Sequence, residues 1–166
     1  MSMRKIYIAM IIALLGACAT VESDESYESE ITLRGEMLFE GSNTLQAEAV
    51  LDKKAIAEHL GADPQSISEV KLLEATVEMD EEQLAITESF LLQIVSDNKG
   101  LKSLASLSPL DANSSSQKLG VSEKAELWPH LQDNGSTWVL DLNLTEDLMD
   151  DMQVRAKLRF LISYKP

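Results

Sequence analysis

The sequence predicts a mainly β domain, an antiparallel β-sandwich with one to three short helices in its crossovers. Three observations lead there. Long segments alternate apolar and polar residues with a period of two, most plainly Val154, Ala156, Leu158, Phe160, Ile162 and Tyr164 against Arg155, Lys157, Arg159 and Ser163. That period marks a strand with one buried and one wet face. Turn residues punctuate the chain, as in Asp97-Asn98-Lys99-Gly100 and Asp133-Asn134-Gly135. Strands and helices do not alternate regularly, which argues against a doubly wound parallel sheet. Half-wet strands imply antiparallel sheets, and two of them packed face to face suit a chain of this length.

The elements follow in order. Residues 29–39 alternate Ile31, Leu33, Met37 and Phe39 with Glu30, Thr32, Arg34 and Glu36, with Gly35 on the apolar side as a candidate bulge. Gly41-Ser42-Asn43 reads as a turn and residues 44–51 as a second strand, with Leu45, Ala47, Ala49 and Leu51 inward. Asp52 is placed to cap a short helix over 53–60 that Gly61 closes. Asp63-Pro64 turns the chain into a strand over 70–79, with Leu73, Ala75, Val77 and Met79 inward. Asp80-Glu81-Glu82 breaks that strand, with a brief helix over 81–89 as the alternative, and 90–95 form an apolar, more buried strand. Residues 101–107 fit either period, and strand is preferred. A polar loop spans 111–117. Ser122 is placed to cap a helix over 123–127 that Pro129 would end. Residues 137–144 are a clear strand with Trp138, Leu140, Leu142 and Leu144 on one face. A helical turn over 145–152 leads to the last strand, 153–164.

The first residues read differently. Arg4 and Lys5 precede an apolar run from Ile6 to Leu15, with no acid before Glu22. The run is the length of a signal-peptide core and is too short for the roughly 20 residues of a spanning helix. It ends in Leu15-Gly16-Ala17-Cys18. This tetrad resembles the bacterial lipobox, in which an aliphatic and two small residues precede an obligatory cysteine. The resemblance covers about the first 20 residues. It implies a signal peptide over 1–17, lipidation of Cys18, a tether over 18–29 and a single domain over 30–166. Cys18 is the sole cysteine, so no intrachain disulfide is possible, and acylation would remove a thiol that is a liability in an exported protein. Several acyl chains of the palmitate type would hold the protein at a membrane far more firmly than one. Ala19 after the cysteine, by resemblance to the sorting rule of enteric bacteria, points to the outer membrane, on its periplasmic or surface face. Glu22-Ser23-Asp24-Glu25 loosely resembles an export signal of some surface lipoproteins; the alternative is a solvated tether. The domain itself weakly resembles immunoglobulin-like sandwiches of exported lipoproteins, but it lacks their Cys…Trp…Cys framework.

The charge narrows the partners. The chain carries 14 cations and 28 acids, net −14. Loss of residues 1–17 removes only Arg4 and Lys5 and leaves −16. Such a surface repels phosphates and anionic lipid headgroups, which excludes nucleic acid as a partner of the bulk surface.

Motifs with chemistry are scarce. His59 and His130 have neither the spacing nor the cysteine partners of a zinc site. There is no Gly-x-Ser-x-Gly elbow and no phosphate-cradling glycine loop, so no nucleotide or other cofactor is expected. Asp111-x-Asn113-x-Ser115 resembles the opening of a calcium loop, but Ser116 and Ser122 stand where glycine and glutamate are needed. Glu146, Asp147, Asp150 and Asp151 cluster, in a chain where acid clusters are common. The basic strip Arg155, Lys157, Arg159 is the one departure from the acidic background. It is placed to dock an acidic partner or a polyanionic glycan, or, as is preferred, to pair with acids of a neighbouring strand such as Glu28, Glu30, Glu36, Glu74 or Glu78. Trp138 belongs to the core, whereas Trp128, beside Pro129, is the candidate for an exposed contact. The expected function is therefore a lipid-anchored, non-enzymatic interaction or assembly module with an unidentified protein partner. A carrier of an apolar ligand, in a cavity lined by Leu140, Leu142, Phe160 and Ile162, is the alternative, and a hydrolase using His59 or His130 the second.

Overall fold

The structure is a computed structural model that describes residues 22–48, 51, 53–132 and 135–166. The signal-peptide and Cys18 readings fall outside the described residues, as do Ala49, the Asp52 cap and most of the 133–135 turn.

Eight strands close into an antiparallel barrel: β1 (Ser23–Gly35), β2 (Gly41–Glu48), β3 (Ile67–Glu78), β4 (Thr87–Ser96), β5 (Gly100–Leu107), β6 (Ser116–Val121), β7 (Thr137–Leu144) and β8 (Met152–Tyr164). Three short helices sit in the connections: α1 (Lys53–Leu60), α2 (Glu81–Ala85) and α3 (Trp128–Leu131). The strand order is β1-β2-β7-β4-β5-β6-β3-β8, with β8 returning to β1, which is the order of an eight-stranded jelly roll. The ladders are uneven. β1 and β8 pair at every residue from Ser23↔Tyr164 to Gly35↔Met152. The two closing seams are short: Arg34↔Gln46 between β1 and β2, and Ala105↔Val121 with Ser106↔Gly120 between β5 and β6. The mainly β, antiparallel expectation stands; the two separate sheets it assumed are joined at these seams into one closed wall.

The interior is filled. Trp138, Phe90, Phe160, Ile31, Leu33, Leu45, Leu92, Ile94 and Leu104 are all under 2% exposed. Trp138 and Phe160 meet with ring centroids 6.2 Å apart. Leu140, Leu142 and Ile162 belong to the same packed cluster. The side chains nominated to line an apolar cavity thus fill the space between the strands, as a barrel of this size permits.

Gly35 marks a close approach. A Cβ there would lie 2.3 Å from Leu45 Cδ2 and 3.1 Å from Leu38 Cδ2. It stands next to Arg34↔Gln46, the one β1–β2 pair among the described residues, where the wall turns its corner. α1 ends as the sequence predicted: Gly61, at φ 61°, donates to the Glu58 carbonyl, and Ala62 donates to Ala57. These paired bonds satisfy carbonyls the helix leaves open.

Several expectations are corrected. The tether reading of residues 23–29 gives way to strand, because the long amphipathic edge of β8 offers hydrogen bonds along its whole length. Residues 36–40 leave the strand, so Met37 and Phe39 are 70% and 59% exposed rather than inward. A bulge between Leu72 and Glu74 resets the alternation of β3, burying Leu72 and turning Leu73 outward. Gly41 and Ser42 already belong to β2, while Asn43 braces the preceding loop by donating to the Phe39 and Gly41 carbonyls. The polar loop expected over 111–117 stops at Ser115, since Ser116 and Gln117 open β6. Pro129 opens α3 instead of ending a helix over 123–127, since its missing N–H is harmless in a first turn. Residues 145–151 form a loop, not a helical turn, pinned by a two-way backbone bridge between Leu38 and Leu148.

Candidate functional site

The outer face of β1, β8 and β3 holds the basic strip. Alternation along β8 sends Arg155, Lys157 and Arg159 outward while Val154, Ala156, Leu158 and Phe160 fill the core. β3 then sets its acids opposite. Arg159 grips Glu74 with two bonds, Nη2 to Oε1 at 2.8 Å and Nε to Oε2 at 3.2 Å. Glu74 also meets Lys118 of β6 at 3.4 Å, and Lys157 donates to Glu78 at 2.7 Å. Of the acids considered for pairing, Glu74 and Glu78 serve; Glu28 and Glu30 line the same open groove, of about 480 Å3, and make no ion pair among the described residues. Arg155 makes no ion pair among the described residues and borders a second hollow with Glu78, Asp80 and Glu81.

The electrostatics follow the geometry. The Arg159 hydrogen bond, then its charge and that of Lys118, hold the Glu74 carboxyl below the ordinary glutamate range. The Lys157 hydrogen bond does the same for Glu78. A general acid at neutral pH needs a carboxyl pushed up towards the working pH. These two are pushed down, so they act as fixed anions in a structural ladder. Such exposed pairs are screened by salt and contribute modestly.

The two histidines stand apart in role. His59 on α1 lies 3.5 Å from Glu25 and packs edge-on against Tyr27, whereas His130 is buried on α3. Asp111 is engaged within its own loop: its carboxylate accepts from the Asn113 backbone and side chain, and Gln117 clamps the loop by donating to the Asp111 and Ser114 carbonyls. Among the described residues no three His, Cys, Asp or Glu side chains gather in a way that would hold a metal ion. Trp128 is 8% exposed and seals one end of the barrel beside Leu127 and Leu131, which corrects its reading as an exposed contact. Three apolar neighbours around one proline made burial the better expectation there.

The feature that sequence order concealed is a polarity along the barrel axis. β1 enters at Ser23 beside the C-terminal end of β8, at the end that also carries α1, α3 and the β4–β5 turn. We term this the proximal end. Lys53, Lys54, Lys99, Lys124 and Lys165 lie in its connections beside Glu58, Asp63, Asp97, Glu123 and Glu126, so cations there offset the acids. The distal end is built from residues 36–40, 79–86, 108–115 and 145–151. They contribute Glu36 and Glu40, then Asp80, Glu81 and Glu82, then Asp111, and finally Glu146, Asp147, Asp150 and Asp151. Every one is exposed, and the four segments contain no lysine or arginine. Met37, Phe39 and Met149 rise among them. The acid cluster at 146–151 was visible in the sequence; its convergence with three other acidic loops and three exposed apolar side chains was not.

No family model matches this sequence, and no curated protein sequence matches it. Among solved structures, one titled Desmodium yellow mottle tymovirus aligns over 88% of this chain and 90% of its own, at 10% identity and a TM-score of 0.35. The empty head of turnip yellow mosaic virus aligns over 98% and 90%, at 10% identity and a TM-score of 0.38. At such scores the likeness carries no inference about family or function.

Proposed function

We propose that this chain is a lipid-anchored envelope module that works without catalysis, through contact with another protein. The observation that carries this reading is the polarity of the barrel. Ser23, the first residue of β1, is five residues from Cys18, so a lipid there would hold the proximal end at the bilayer. The end whose lysines offset its acids would then face the bilayer and the end with acids alone would face away, the electrostatically favoured orientation of the two. The interior of the barrel is occupied by its own side chains, so the surface is left to do the work.

Two further features support the reading. The acids where the chain enters the barrel wall are engaged: Ser68 donates to Glu22, Ser163 donates to Asp24 at 2.6 Å, and Glu25 meets His59. That leaves only a short span between lipid and fold, so the module would stand close to its membrane. The ion-paired carboxylates are tuned away from acid catalysis.

The test is metabolic labelling of the full-length chain with radioactive palmitate in its own host, beside Cys18→Ser. The expected result is label and detergent-phase partitioning in the first and neither in the second. An unlabelled, water-soluble wild-type chain would overturn the reading.

A further inference from the structure

We infer that the distal tip is a docking element for a partner protein that offers an apolar pocket bordered by lysine and arginine. The inference rests on the anchored-module reading and assigns its contact site and the chemistry of its partner.

The tip is built to display apolar side chains. Leu38 and Leu148 form a backbone bridge, donating to each other's carbonyls at 3.2 and 2.8 Å, and Leu38 is buried. Met37 and Phe39 flank Leu38, and Met149 follows Leu148, so the bridge brings the two apolar segments side by side. Around the buried Leu38, the side chains of Met37, Phe39 and Met149 are turned outward, at 70%, 59% and 81% exposure. Met37 holds φ at 50°, a left-handed conformation costing a non-glycine residue roughly 1–2 kcal/mol. Water gains nothing from three apolar side chains presented together, whereas a pocket that desolvates them does. Methionine and phenylalanine are also enriched at protein interfaces.

The rim selects the occupant. Glu36 and Glu40 flank the apolar residues on one loop, and Asp147 and Asp150 flank Met149 on the other, with no cation in either. A second copy would bring the same acids against them. A bilayer with anionic headgroups would repel them, and the anchoring membrane lies at the other end of a 13-residue strand, up to about 40 Å away. A cationic protein surface matches both the charge and the apolar knobs, and the rim would speed its approach at low salt.

The experiment is site-specific photocrosslinking in the host, with the full-length chain carrying benzoylphenylalanine at position 39, 149, 101 or 157. Leu101 and Lys157 are exposed controls on other faces. The expected result is one protein adduct from positions 39 and 149, with a contact peptide that combines apolar residues with lysine or arginine. Glu36→Lys, Glu40→Lys and Asp150→Lys together should lower its yield about tenfold, since like charges at an interface are strongly unfavourable. Asp147 is left in place because it accepts from the Glu40 backbone. A second set, Met37→Ser with the probe at 149, should lower the yield without any charge change. The inference is overturned by a tip adduct to lipid, to a second copy of the chain or to a peptide without cations, by yields indifferent to charge reversal, or by adducts from 101 or 157 alone. Adducts from the controls alone would leave the anchored-module reading standing; an anchored chain with no protein adduct from any position would sink both.

Discussion

Gly35→Ala should destabilise the barrel at its corner, and the structure sets the size of the effect. The added methyl would sit 2.3 Å from Leu45 Cδ2 and 3.1 Å from Leu38 Cδ2, well inside contact distance. Leu45 is fully buried and Leu38 nearly so, so neither can swing into open space. The overlap must be relieved by an off-rotamer leucine or a backbone shift, which costs about 1–3 kcal/mol. The alternative strain relief, parting β1 from β2, would open the single Arg34↔Gln46 pair. Urea unfolding followed by the fluorescence of Trp128 and Trp138 reads the loss, about 1 M in midpoint for 2 kcal/mol at a slope of roughly 2 kcal/mol per molar. The double variant Gly35→Ala, Leu45→Ala supplies the decisive comparison. Leu45→Ala alone should cost about 2–5 kcal/mol by leaving a cavity, but the Gly35 methyl partly fills that cavity, so the pair must cost less than the sum. Additive penalties, or a Gly35→Ala midpoint equal to wild type, would refute the steric argument.

Other predictions follow from the same structure. Phe160→Ala, which empties the space against Trp138 and Tyr27, should cost about 3–5 kcal/mol in urea unfolding. The depressed Glu74 and Glu78 carboxyls contribute stability that is present above the ordinary glutamate range and lost as pH falls through their lowered values. Unfolding between pH 5 and 2 should therefore show a flatter pH dependence in Glu74→Gln, Glu78→Gln than in wild type; equal slopes would contradict the pairing. Lys71 runs the other way. Its hydrogen bond to Glu69 raises it above the ordinary lysine value, so its contribution is present below that value and disappears as pH rises through the raised one. Met37→Asn, which tolerates the left-handed backbone better, should leave stability unchanged or raise it by up to about 1 kcal/mol, while weakening capture at the tip; a clear fall in the urea midpoint would mean that the Met37 side chain packs where it is taken to be exposed.

How much of this was legible depended on which interactions decide each element. β7 and β8 were read nearly to the residue because a strand with one core face writes its period directly into sequence. α1 was equally plain, with Gly61 as its stop. The first half of β1 was not, because Ser23 to Glu30 has only Tyr27 as an apolar residue. Its strand state is imposed by β8, more than a hundred residues away. The same distance hid barrel closure, which rests on three residue pairs. A bulge made Leu73 look inward, since parity counted along a sequence does not register an inserted residue. The basic strip was located correctly and so were its partners in β3. The distal end was missed because its acids come from four separate loops that only the topology gathers.

The unbroken β1–β8 ladder has a mechanical side. A pull exerted at the distal end and resisted at residue 23 would run parallel to β1. Thirteen residue pairs lie side by side along that line, so the ladder would be loaded in shear, its hydrogen bonds sharing the force together instead of peeling one by one. Were the chain anchored at Cys18 as proposed, the strand nearest the anchor would also be the member best placed to bear tension between a membrane and whatever holds the far end.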